Sequence, residues 1–216
     1  HDLSVREEEK HTSAALVRGV AAKIQELGYT LSGFDAYAVS TVLSGSGLSS
    51  SAAYEVLIGN ILNHFCCNGA LDAIEIAKIG QYAENVYFGK PSGLMDQTGS
   101  SVGGAVAIDF ADPAAPVVDK IEYDFSGSGY ALCIVDTCSS HGDLTDDYAD
   151  ITREMGAVAA HFGKTVLRDV SVTDFRAAIP ALRQACGDRA VLRAMHFYDD
   201  DRTAALEAAV LKNGDF

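Results

Sequence analysis

A chain of 216 residues, 48% of them hydrophobic, has enough apolar surface to bury one or two cores. Its formal net charge of −14 argues against nucleic acid as a partner, because a polyphosphate backbone is met by basic patches. No run of about 18 apolar residues occurs, and no basic segment leading into an apolar one opens the chain, so neither a membrane span nor a secretory leader is indicated and the cytosol is the expected compartment.

From His11 to Leu27 the apolar residues Ala14, Ala15, Leu16, Val20, Ile24 and Leu27 recur at helical spacing, and Gly28 closes the segment. Phe34 to Leu43, rich in Tyr, Val and Thr, reads as a strand. Ser49 to Phe65 reads as a helix, and Asp72 to Phe88 as another with Ile76, Ala77, Gly80, Ala83 and Tyr87 on one face. Val102 to Phe110, Val117 to Phe125 and Tyr130 to Asp136 read as strands of a small antiparallel sheet, separated by Asp-Pro and Gly-Ser-Gly turns. Thr145 then starts a helix to about Phe162, with acids favouring its first turn. Helices over Val172 to Cys186 and Asp201 to Lys212 follow, the last capped by the Asp199-Asp200-Asp201 run. The pattern is α+β, with helices packed on one face of mixed or antiparallel sheets.

The five cysteines are an odd number without a Cys-x-x-Cys spacing, so neither a disulfide framework nor a zinc site is expected. They read as buried, reduced thiols. The acids Asp143, Asp146, Asp147 and Asp150 read as an acidic helix start, and the histidines show no metal-ligand spacing.

Ser44-Gly45-Ser46-Gly47-Leu48-Ser49-Ser50-Ser51-Ala52-Ala53 lies between the first expected strand and the helix after it. Glycines let a backbone approach a ligand closely, and serines opening a helix bring hydroxyls to its positive end, so the run reads as a polyanion cradle. Composition alone is equally satisfied by a plain loop whose serines cap the next helix. It is not a Walker loop, having no lysine after its second glycine, and not Gly-x-Gly-x-x-Gly, since Ser50 holds the third glycine position.

Gly47-Leu48-Ser49-Ser50-Ser51-Ala52 resembles the second motif of the GHMP kinases, the family of galactokinase, homoserine kinase, mevalonate kinase and phosphomevalonate kinase. The stretch from Ile79 to Gln97 is similar to the galactokinase branch in its Gly89-Lys90-Pro91-Ser92-Gly93-Leu94-Met95-Asp96-Gln97 portion, departing at Ser92, where cysteine is common. The fold this implies is GHMP-kinase-like, with a ribosomal protein S5 domain 2-like first part. Residues 1–105 would form the later part of the N-terminal nucleotide-binding domain, and 106–216 the first part of the C-terminal domain.

The resemblance also implies roles. Gly45, Ser46, Gly47, Leu48, Ser49, Ser50 and Ser51 would cradle ATP, Ser51 and Glu84 would hold Mg²⁺, and Asp96 would act as the base that deprotonates the anomeric hydroxyl of galactose. In its Gly-Leu-Met surroundings the Asp96 carboxylate is expected to be partly desolvated. Gly93, Asp96 and Tyr148 would contact the sugar. Phosphate charge has to be met by metal, backbone N–H groups or basic side chains, and only Lys78 and Lys90 flank the motifs. The expected activity is ATP-dependent formation of galactose 1-phosphate by a monomer or weak dimer with no nucleic-acid or membrane partner. Two alternatives remain: a non-catalytic sugar and ATP sensor acting through a protein partner, against which the intact Ser49-Ser50-Ser51-Ala52 counts, and an N-acetylgalactosamine kinase.

Galactokinases carry an Arg and a Glu-His-Thr-Asp motif before this region and a glycine-rich motif after it. Neither occurs in the 216 residues, so the chain is expected to be an internal fragment, inactive alone.

Overall fold

The structure, a computed structural model, describes residues 2–42, 47–131, 133–135 and 145–214. The chain divides into two compact units: His1–Ala105 with Cys133–Gly142, and Val106–Leu132 with Asp143–Phe216.

The first unit is built on helices α1 (Ser13–Glu26), α2 (Ser50–Cys66), α3 (Ala73–Tyr82) and α4 (Met95–Val102). Its core gathers Val20 and Ile24 of α1, Val56, Ile58 and Leu62 of α2, and Ile76 and Ile79 of α3. Asp72 opens α3 with a reciprocal cap: its carboxylate accepts from the Ile74 and Glu75 N–H groups, and the Glu75 carboxylate accepts from the Asp72 N–H. The buried Asn63 side chain ties the end of α2 to the entry of α3, donating to the Leu71 carbonyl and accepting from its N–H. Beyond Tyr82 the helix widens into a π-type segment over Ala83–Phe88. The face expected for this helix is buried: Ile76, Ala77, Gly80, Ala83 and Tyr87.

In the second unit, strands β1 (Ala105–Asp109) and β2 (Val117–Ile121) pair as an antiparallel hairpin. Helices α5 (Thr145–His161), α6 (Val172–Cys186) and α7 (Asp188–Lys212) enclose a core of Val158, Phe175, Leu182, Val191 and Ala194. Tyr198 of α7 fixes the connection before α6, its hydroxyl donating to the Leu167 and Val170 carbonyls at 3.2 and 3.0 Å.

The α+β class holds, with corrections. Residues 34–42 form no strand and join no sheet among the described residues, despite their β-rich composition. The described residues of Tyr130 to Asp136 form no strand either, and the sheet has two strands. Residues 95–102 are helical where no helix was expected, so β1 starts only at Ala105. The Asp199-Asp200-Asp201 run lies inside α7, which starts at Asp188, and caps nothing. Of the described cysteines, all free, Cys67 is buried while Cys133 is exposed. Among the described residues no helix is long and apolar enough to cross a membrane.

Candidate functional site

The glycine–serine run ends in a sharp entry to α2. Gly47 has φ +79° and Ser49 φ +57°, both in the left-handed region, which costs little at glycine and more at serine. The Ser49 side chain makes no capping hydrogen bond. A helix supplies no partners for its own first N–H groups, so the positive end of α2 is left to be met by something other than Ser49. Gly45 and Ser46 lie outside the described residues; Gly47 and Leu48 are exposed, and Ser49, Ser50 and Ser51 half-buried.

From the second residue of that helix, the Ser51 hydroxyl donates to Glu84 Oε1 at 2.8 Å, joining residues 33 positions apart. Glu84 belongs to the π-type segment and is 2% exposed. A single π turn inside an α-helix shifts the side chains that follow it out of helical register, and such turns recur at functional sites. A buried carboxylate needs compensation, and Glu84 has it from three sides. Ser51 and the Lys90 ammonium, at 3.5 Å, meet Oε1, while the Gln97 side-chain amide donates to Oε2 at 2.8 Å.

The same Gln97 amide nitrogen donates to Oε2 of Glu55 at 3.0 Å. Glu55 is fully buried on α2, and burial first, then the neighbouring Glu84 charge, pushes its carboxyl up to about 8, against the pull of the Gln97 hydrogen bond. Glu55 is thus neutral at pH 7.

Between Lys90 and Asp96 the chain is clamped by polar side chains. Asn85 accepts from the Ser92 N–H at 2.7 Å, and Gln81 donates to the Ser92 carbonyl at 3.1 Å. Gly93 is exposed. Asp96 sits in the first turn of α4, which fixes its backbone, and its side chain is exposed rather than desolvated as expected. The reason is the unforeseen helix: its amphipathic turn buries the following Gln97 and Thr98 and turns Asp96 outward. Tyr148 lies on α5 in the second unit and is 54% exposed. A shallow depression lined by Pro180, Arg183, Gln184 and Asp188 in the second unit contains none of the candidate residues.

Ser51, Glu84, Gln97 and Lys90 therefore converge, with Asp96 next to Gln97 in the chain. Ser51 and Glu84 offer a hydroxyl and a carboxylate oxygen, the hard donors Mg²⁺ takes when phosphates and water complete its shell. No group of three or more His, Cys, Asp or Glu able to cage an ion exists among the described residues, so the pair fits a metal that arrives with a phosphate ligand. Reading the sequence missed Glu55, and used Gln97 only as part of a motif. The signal for Glu55 was present: it shares helical register with Ala52, Val56, Gly59 and Leu62, on the face α2 buries.

Residues 15–104 match the model of the GHMP kinases N terminal domain. A galactokinase of Streptomyces coelicolor is 36% identical over 199 residues, spanning 91% of this chain and 50% of that protein. Residues 15–104 thus carry a GHMP kinase N terminal domain. A human galactokinase is 32% identical over 189 residues, 86% of this chain and 46% of the human protein. The fold also resembles a crystal structure of Lactococcus lactis galactokinase complexed with galactose, with TM-score 0.67 and 21% identity over 98% of this chain and 54% of that one. The chain spans about half the length of the curated relatives it matches.

Proposed function

We propose that the protein transfers the γ-phosphoryl group of ATP to the anomeric hydroxyl of galactose, giving galactose 1-phosphate, in the cytoplasm. The observation that carries this reading is the 2.8 Å contact between Ser51 and Glu84. These are the two residues, far apart in sequence, that resemblance to the galactokinase branch pairs as metal ligands. The similarity to proteins named galactokinase over most of the chain favours galactose over N-acetylgalactosamine as acceptor.

In this reading the first unit is the later part of the nucleotide-binding domain, and the second the start of the C-terminal domain. Phosphoryl transfer asks little covalent chemistry of a protein; it asks for position and charge neutralisation. The run from Gly45 to Ser51 brings backbone N–H groups and the positive end of α2 to the triphosphate. Ser51 and Glu84 would hold Mg²⁺, which supplies charge neutralisation between the phosphates when bound. Lys90, paired with Glu84 in this structure, is a basic group placed to share that load. Asp96, exposed and fixed on a helix turn, accepts the hydroxyl proton, while the Gly93 backbone contacts the sugar.

Replacing Asp96 with alanine in the full-length protein should lower kcat by about 10²-fold or more, the usual worth of a positioned base. ATP binding, followed by calorimetry, should persist because the hydrogen bonds of Ser51 and Glu84 run to each other, Lys90 and Gln97 and not to Asp96. Undiminished turnover of galactose by Asp96→Ala would overturn the assignment.

A further inference from the structure

We propose that Glu55 and Gln97 form a positioning pair that fixes the Glu84 carboxylate for a divalent ion, an inference that rests on the nucleotide–metal reading above. Gln97 is 1% exposed, and its amide nitrogen donates to both Glu84 Oε2 and Glu55 Oε2, at 2.8 and 3.0 Å. Ser51 and Lys90 both engage the other oxygen of Glu84, so among the described residues Gln97 is what orients Oε2.

That amide can do so in one sense only. Turned over, it would set its carbonyl oxygen against Glu84 Oε2, whereas in the observed sense the second N–H of the same amide is taken by Glu55 Oε2.

The surroundings are shaped around this bridge. A Cβ on Gly80 of α3 would lie 3.1 Å from Glu55 Cβ, 3.2 Å from its Oε2 and 3.3 Å from Gln97 Cγ, so glycine clears the space both side chains occupy. Glu55 Oε1 and Gln97 Oε1 are buried without partners. A site selected for packing alone would exclude two such atoms, because each carries a desolvation penalty. The bridge also links Glu84 to α4.

The test is a titration of the full-length protein with Mn²⁺ in the presence of ADP, read by the electron paramagnetic resonance signal of free Mn²⁺. Glu55→Leu and Gln97→Met should each weaken Mn²⁺–ADP binding about tenfold or more, the usual effect of losing a partner behind a metal ligand. Glu55→Gln keeps an acceptor for Gln97 and a donor for its partnerless oxygen, and should stay within about threefold of the unmodified protein, a rescue that a merely structural role has no reason to show. The KM for galactose should not move in any of the three. If Glu55→Leu does not fold, Gln97→Met breaks the bridge from its other end. Binding by Gln97→Met equal to that of the unmodified protein, or Glu55→Gln falling as far as the bridge-breaking variants, overturns the inference and leaves the kinase reading standing. Failure of the unmodified protein to take up Mn²⁺–ADP overturns the kinase reading, and this inference with it.

Discussion

Glu55 departs furthest from its ordinary behaviour. Its carboxyl ordinarily titrates near 4.5 and is pushed up to about 8 here by burial. Between those values the folded chain holds a proton that the unfolded chain has released, so the folded state binds more protons and stability falls as pH rises. The contribution is fully present below about 4.5, is lost as pH climbs toward 8, and has a slope of up to ~1.4 kcal/mol per pH unit. Urea denaturation of the chain at stepped pH should show this fall, and Glu55→Gln, which cannot titrate, should flatten it over that window. An identical pH profile for both proteins would mean Glu55 is ionised in the folded state.

At the scale of elements, the approach of α1 to the π-type segment decides where Glu84 stands. Gly19 of α1 faces Ala83 so closely that an added Cβ would lie 2.7 Å from Ala83 Cβ, 2.8 Å from Ala83 Cα and 3.0 Å from Tyr87 Cδ2. Two opposed effects bear on Gly19→Ala: helix propensity favours alanine by about 1 kcal/mol, whereas overpacking against backbone that has to shift costs about 1–3 kcal/mol or more. Since Ala83 Cα is backbone and no rotamer change relieves the contact, overpacking wins. The variant should melt lower, and a melting temperature at or above that of the unmodified chain would count against this packing. The elements themselves were unevenly legible. Helices α1 and α3 were readable from apolar spacing, because each buries one face, and α5 from its threonine start and acidic first turn. Helix α4 was not, since Met95-Asp96-Gln97-Thr98-Gly99-Ser100-Ser101-Val102 is polar and holds a glycine, and its helicity comes from burying Gln97 and Thr98. The strand expected at residues 34–43 failed for the converse reason: β propensity describes fit to a neighbouring strand, and the described part of this segment has none.

Over the whole molecule, two separate cores support the two units, one around Ile24, Leu62 and Ile79 and one around Phe175, Leu182 and Val191. Phe175 is 1% exposed and rests against the Tyr198 ring at 5.0 Å between centroids, so it anchors the second core. Phe175→Ala should cost about 3–5 kcal/mol in urea denaturation followed by circular dichroism; a loss under about 1 kcal/mol would mean the core closes around the gap. By itself the sequence determined the α+β class, the helices with one continuous apolar face, and the domain family of residues 15–104, because those rest on local periodicity and on contiguous motifs such as Gly47-Leu48-Ser49-Ser50-Ser51-Ala52. Only the tertiary structure decided that Ser51 meets Glu84, that Gln97 bridges two buried carboxyls, and that Asp96 stands exposed. Each depends on residues brought together from α2, the π-type segment and α4 by packing, and burial, which sets the charge of Glu55, is a property of the assembled core and of no segment alone.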